Sequence, residues 1–337
     1  MPSEALAGSL APAVKARRRP LAHLLMQNAP VLLSLLMLAV SLFLYVAIFL
    51  ATQHHLPGGF EITTTVNNTM PLAAAAAGQS LVVLTRGIDL SVGGIIDMSN
   101  AIAAVTLQDS AGSMILATMM ILLIGAAAGL VNGLLVAVGR LQPILVTLAT
   151  LSIYQGIAIR ILPQPGGSIP QSYTAILANT NGPWSLVYVV LLCALWWAFR
   201  RSGLGVAILA IGNDPVAASS NGINVLRARI MAYVLAGILA AAGGLFLAAS
   251  ATGGDATTGD SFTLRSIVAI VLGGVSLFGG RGSAIGGVIG AFIITMIVNL
   301  LFFAHVNQLY ESFFEGVFLL IAVVAASGIG YLARRRA

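Results

Sequence analysis

Residues 68–107, NTMPLAAAAAGQSLVVLTRGIDLSVGGIIDMSNAIAAVTL, decide how the chain folds. They read as two short apolar segments, 68–85 and 92–107, joined by the tight string Gly87-Ile88-Asp89-Leu90-Ser91-Val92-Gly93-Gly94. Both segments carry polar side chains, Asn68, Gln79 and Ser80 in the first and Asp97, Ser99 and Asn100 in the second. Backbone groups in lipid must find their partners within the chain, so apolar segments of this kind are expected to be helices. Short helices broken by glycine are how transport proteins expose backbone groups to a water-filled path. A second glycine-rich hairpin, built on Gly273, Gly274, Gly279 and Gly280, falls near the other end of the chain and faces the same side. An internal duplication is left open by this pair.

Apolar runs close to the ~20 residues that cross a bilayer continue on both sides. Residues 31–51, 114–138, 143–162, 184–199, 230–252, 264–278, 284–304 and 311–331 bring the expected spans to ten. Composition agrees: 58% of residues are hydrophobic and 8% charged, against roughly 45–50% and about 25% in soluble domains. The expectation is an all-α polytopic membrane protein of about ten transmembrane helices, some short or broken. Residues 1–30 form a first tail, 31–331 the membrane domain and 332–337 a second tail. The run 31–51 exceeds the roughly 7–15-residue apolar core of a signal peptide, so it is kept as a helix.

Basic residues set the orientation, because cytoplasmic loops retain Lys and Arg. With the N-terminus inside, Lys15, Arg17, Arg18, Arg19, Arg86, Arg140, Arg200, Arg201, Arg227, Arg229, Arg281, Arg334, Arg335 and Arg336 are cytoplasmic, and only Arg160 and Arg265 fall outside. Both termini are then cytoplasmic. The net charge of +6 is scattered between apolar runs, so it marks topology and not a nucleic-acid face. Residues 53–66 and the proline-rich 163–183 are external loops. The long internal loop 200–229 carries at 206–221 a short helix lying at the membrane surface. Within it, Asn213-Asp214-Pro215 is a helix start, with Asp214 capping and Pro215 at the first helical position, and Gly222 a stop.

Neutral polar side chains within the spans, Gln79, Asn100, Asn132, Thr147, Thr150 and Gln155 with Ser80, Ser152 and Asn299, are the candidates to line a translocation path. The same residue types also hydrogen-bond between packed helices, at about 0.6 kcal/mol each. Asp89 stands where a carboxylate caps the helix that follows, and the alternative is direct contact with solute or partner. Glycines at four-residue spacing, Gly125, Gly129 and Gly133 and again Gly286 and Gly290, allow helices to approach closely. Glu311 and Glu315 sit one turn apart where a helix N-terminus favours negative charge. The lone Cys193 and the four histidines lack metal-ligand spacing, so neither a metal, a cofactor nor a catalytic residue is expected.

At residues 87–93 the sequence resembles the permease subunits of bacterial ABC-type monosaccharide importers, the ribose permeases and their relatives. Residues 60–94, 142–156 (QPILVTLATLSIYQG), 203–225 (GLGVAILAIGNDPVAASSNGINV) and 271–290 (VLGGVSLFGGRGSAIGGVIG) resemble that family in the same order. One departure lies at 263–269, where Arg265 stands in a setting that is usually acidic. The resemblance implies a multi-pass protein of the bacterial inner membrane working as a dimer with itself or a sister permease. An ABC ATPase subunit would dock below it and a periplasmic sugar-binding protein above. It further implies that the ATPase couples through Gly203, Gly205, Gly212, Asn213, Asp214, Pro215, Ala217, Ala218 and Gly222, and that Gly87, Asp89, Ser91, Gly93, Gly273, Gly274, Gly279 and Gly280 are structural motif positions. No G-x-x-x-x-G-K-[ST] phosphate loop is present, so hydrolysis would be supplied by the partner.

The leading expectation is thus the import of a monosaccharide by alternating access. A related permease for branched-chain amino acids or another small solute is the first alternative, and would favour a charged pair inside the bundle. An ion-driven secondary transporter is the second, and needs carboxylates at mid-membrane, where only Asp97 comes near.

Overall fold

A computed structural model of the chain describes residues 29–307 together with 310, 313, 314, 316, 317 and 320. Most of the expected span at 311–331, Glu311 and Glu315 included, and the tails at 1–28 and 332–337 lie outside the described residues. The helices are α1 (Ala29–Gln53), α2 (Gly59–Leu84), α3 (Val92–Thr106), α4 (Ala111–Ala137), α5 (Pro143–Ile161), α6 (Gln171–Leu177), α7 (Ser185–Phe199), α8 (Gly203–Asn213), α9 (Pro215–Ser220), α10 (Val225–Ala251), α11 (Asp260–Leu272) and α12 (Ala284–Phe303). No strand occurs among the described residues; a single bridge joins Gly166 and Gly254.

Among the described residues, five helices are long and apolar enough to cross a membrane: α1, α4, α5, α10 and α12. A sixth is obtained if α7 and α8, bent by 76° at their junction, are taken as one broken span. The helix with the largest number of buried residues, α2, is not among them, although it is buried from Val66 to Leu84 apart from Asn68. Hydropathy measures fitness for lipid, and α2 is covered by α10, α12, α11 and α7, so it can carry Asn67, Thr69, Gln79 and Ser80. This also corrects the first boundary: residues 59–66, expected as external loop, are the first turns of α2. The 15-residue α3 spans only about 22 Å at 1.5 Å per residue, and the 13-residue α11 about 20 Å, both short of a ~30 Å hydrocarbon core. Neither helix reaches across by itself. The span expected at 264–278 is in fact α11 followed by an irregular turn from Gly273 to Ser283.

The glycine spacings are packing seams. A Cβ on Gly125 would stand 2.5 Å from the Gly237 carbonyl oxygen, and one on Gly129 would overlap the Tyr233 carbonyl, so α4 and α10 touch backbone to backbone. Gly286 and Gly290 make the same approach to Gly273 and Ala269 of α11. Aromatic side chains close the α1–α12 contact, with Phe49 and Phe303 ring centroids 4.7 Å apart.

Candidate functional site

One end of the bundle gathers the ends of α2, α8 and the 273–283 turn. Ser202 opens α8, its Oγ accepting from the Gly205 amide at 3.2 Å. Asp214 opens α9, its carboxylate accepting from the amides of Val216 and Ala217 at 2.9 and 3.1 Å. Pro215 follows at the first helical position, where no N–H is required. The single surface helix expected over 206–221 is therefore two helices broken at Asp214. Gly222 (φ 80°) ends the segment.

Four hydrogen bonds lock that break in place. Arg86 donates from Nε to the Gly212 carbonyl at 2.7 Å and from Nη2 to the Asn213 carbonyl at 2.5 Å. These carbonyls end α8 and have no helical donor of their own. Asn213 Nδ2 donates to the Gly280 carbonyl at 3.1 Å, and the Gly280 amide donates to the Leu84 carbonyl at 3.0 Å. Gly212 lies directly on Leu84 and Gly280, so a Cβ there would overlap both backbones. Gly279 and Gly280 hold left-handed backbone (φ 83° and 68°), which suits residues without a Cβ. Arg86 holds the same conformation (φ 67°); its side chain is what the position requires. From sequence Arg86 reads as a topology marker only, because the carbonyls it serves are more than a hundred residues away.

Two apolar side chains project from this end. Phe278, in the turn, is 86% exposed and Val216, on α9, is 75% exposed. Ala217 is exposed beside Val216 while Ala218 is buried, and Gly203 faces open space. Phe278 and Val216 are both apolar groups that this end of the bundle leaves uncovered.

A chain of polar side chains runs deeper. Asp89 accepts from both the amide and the hydroxyl of Ser91, at 2.9 and 2.6 Å. The N-cap position is Ser91, two residues beyond Asp89, and its side chain makes no capping bond; Asp89 instead holds Ser91 in place. Asn132 Nδ2 donates to Ser91 Oγ at 2.7 Å, and Thr150 Oγ1 donates to Asn132 Oδ1 at 2.8 Å. Thr147 Oγ1 accepts from the Leu90 amide at 3.0 Å. Asn132, Thr147 and Thr150 thus tie α3, α4 and α5 together. Gln79 differs: it is fully buried, and neither amide atom has a partner among the described residues.

Above this chain the loop before α11 enters the bundle. The Gly259 amide donates to Asp97 Oδ1 at 2.6 Å, so the carboxylate of one helix meets the positive N-terminal end of another. Gly93 admits this approach, since a Cβ there would stand 2.6 Å from the Gly259 carbonyl oxygen. Thr263 Oγ1 accepts from the Gly93 amide at 3.2 Å. Asn100 Oδ1 accepts from the Asp255 amide at 3.0 Å, and Gln155 Nε2 donates to Asp260 Oδ2 at 2.6 Å. Arg265 lies in α11 and is half-buried. At the far end the 163–170 and 252–255 loops are paired through Gly166 and Gly254.

Comparison with known proteins gives concordant matches. The family described as branched-chain amino acid transport system / permease component matches residues 61–323. The chain is 33% identical to the ribose import permease protein RbsC of Escherichia coli K12 over 282 residues, 80% of this chain and 87% of the relative. It is 33% identical to a probable ABC transporter permease protein, y4mJ, of Sinorhizobium fredii, over 75% of this chain and 77% of the relative. It is 32% identical to the autoinducer 2 import system permease protein LsrC of E. coli K12, over 78% of each chain. No solved structure matches the chain at the same significance.

Proposed function

The chain belongs to the family of ABC import permease components that these matches define, and from that premise we propose that it translocates a monosaccharide by alternating access. It is a multi-pass protein of the bacterial inner membrane and, as a permease component, not the enzyme of its system. In the proposed assembly an ABC ATPase docks on α8 and α9 and a periplasmic sugar-binding protein covers the opposite end. A second permease, identical or sister, completes the membrane core. The full chain makes ten crossings, counting α3 and α11 as short ones and 311–331 as the last, with both termini cytoplasmic. The whole of 31–331 then serves as one membrane domain with 200–229 as its coupling loop.

The observation that carries this reading is the break at Asp214, held against the ends of α2 and the 273–283 turn. A partner pressing on α9 would move these elements together. The exposed Phe278 and Val216 offer that partner an apolar footing. Of the path candidates, Ser152, Gln155 and Asn299 are not buried; Asn299 is bonded to Thr65, and Gln155 to Asp260 at the head of a half-length helix. Gln155 is assigned to the path; Asn132, Thr147 and Thr150 hold the helices together. Neutral hydroxyls and amides suit a sugar, whose hydroxyls donate and accept without charge.

Uptake in proteoliposomes tests the proposal. Radiolabelled pentose or hexose uptake is expected to need ATP, the cognate ATPase and the binding protein, and to fall at least tenfold in Val216→Glu/Phe278→Glu while the chain remains inserted. Uptake that persists without the ATPase would instead support a secondary transporter.

A further inference from the structure

The α2–α3 turn, the α4–α5 turn and α10 enclose a polar cavity of about 270 Å3, lined by Thr85, Arg86, Gly87, Arg140, Arg229 and Tyr233 among others. Arg86 is engaged with the carbonyls of Gly212 and Asn213. Arg140 and Arg229 have no hydrogen-bond or carboxylate partner among the described residues, and the Tyr233 hydroxyl, on a side chain with 0% exposure, has none either. An orphaned buried hydroxyl costs roughly 1–3 kcal/mol, so its retention needs a reason. Two further features look built. Arg140 holds left-handed backbone (φ 53°) at the end of α4, where glycine is the easier residue. Gly87 leaves the space beside the phenol, since a Cβ there would stand 2.7 Å from the Tyr233 hydroxyl.

We propose that this cavity binds a phosphate group, with Arg140 and Arg229 supplying charge-assisted hydrogen bonds and Tyr233 donating its hydroxyl to a phosphate oxygen. Guanidinium forks match phosphate geometry. The group arrives either as the headgroup of an anionic phospholipid or as free phosphate. The first is favoured by the exposed apolar side chains of Val138, Leu141 and Ile144 beside the cavity, which suit acyl chains, and by the tendency of basic recesses between helices at the cytoplasmic surface to hold anionic headgroups. This inference rests on the orientation proposed above only for naming the leaflet; the binding chemistry stands without it.

The test is the thermal midpoint of the full-length purified chain, titrated with phosphatidylglycerol, phosphatidylcholine or inorganic phosphate, alongside native mass spectrometry of retained lipid. Phosphatidylglycerol is expected to raise the midpoint more than phosphatidylcholine does, and Arg140→Gln/Arg229→Gln to abolish that preference without lowering the lipid-free midpoint. Tyr233→Phe is expected to weaken binding about tenfold, as for a lost hydrogen bond to a charged group. Stabilisation by inorganic phosphate with no lipid preference supports the site and assigns it to free phosphate. The proposal is overturned if neither ligand shifts the midpoint, if the shift survives the double variant, or if that variant loses only its association with the ATPase. None of these readouts uses uptake, so failure here is separable from failure of the transport reading.

Discussion

Arg86→Gly is expected to reduce ATP-dependent uptake at least tenfold while the ATPase still co-purifies and still hydrolyses ATP. Glycine fits the left-handed backbone at this position (φ 67°) better than arginine does, so the substitution removes the guanidinium and relieves strain at once. A defect therefore reports the lost side chain. What is lost is a pair of bonds from a cation to the Gly212 and Asn213 carbonyls, each worth about 1.5–3 kcal/mol when made by a charged group. Without them α8 and α9 can shift under the partner while α2 stays behind. Arg86→Lys should recover part of the activity, because an ammonium reaches one carbonyl well and two poorly. Wild-type uptake in Arg86→Gly, measured in proteoliposomes at matched protein density, would remove the clamp from the mechanism.

Asp97→Leu is expected to be the most disruptive change in the bundle interior, and Asp97→Asn a mild one. The carboxylate serves as acceptor for the Gly259 amide at 2.6 Å, at the N-terminal end of α11. Leucine leaves that buried amide without a partner and should lower stability by about 1.5–3 kcal/mol, seen as a lower thermal midpoint and little uptake. Asparagine keeps an acceptor oxygen and should retain most uptake. The pair of variants also separates transporter classes. An ion-driven carrier would need the charge of Asp97 and lose all activity as Asn, whereas an ATP-driven one needs only the acceptor.

Features that depend on near neighbours in sequence, or on helix period alone, are legible in the amino-acid string itself. The Asp-Pro start of α9 and the four-residue glycine seams of α4 and α12 are of this kind, and so are the long apolar helices. What a distant segment supplies is not legible there. Residues 59–66 read as loop because Glu61, Thr63, Thr64 and Thr65 interrupt the apolar pattern, although Thr63 and Thr65 are buried in the fold. Asp97 reads as a lone carboxylate, since its partner Gly259 comes from a loop that enters the bundle 162 positions later. Asn132, Thr147 and Thr150 are alike as path candidates by composition, and only side-chain geometry ties them to Ser91 and Leu90. Phe278 reads as the end of a span, whereas the turn after Gly273 carries it out to the surface.

On the reading proposed above, α9 is the surface on which the energy-supplying partner rests. A cysteine placed at Val216 in a chain whose Cys193 is replaced by serine tests it directly, by disulfide or bifunctional cross-linking within assembled transporter in inverted and right-side-out vesicles. A cross-link to the ATPase subunit is expected, with labelling by an impermeant thiol reagent only from the cytoplasmic face. Labelling from the external face, or a position that never cross-links to the ATPase during turnover, would contradict it.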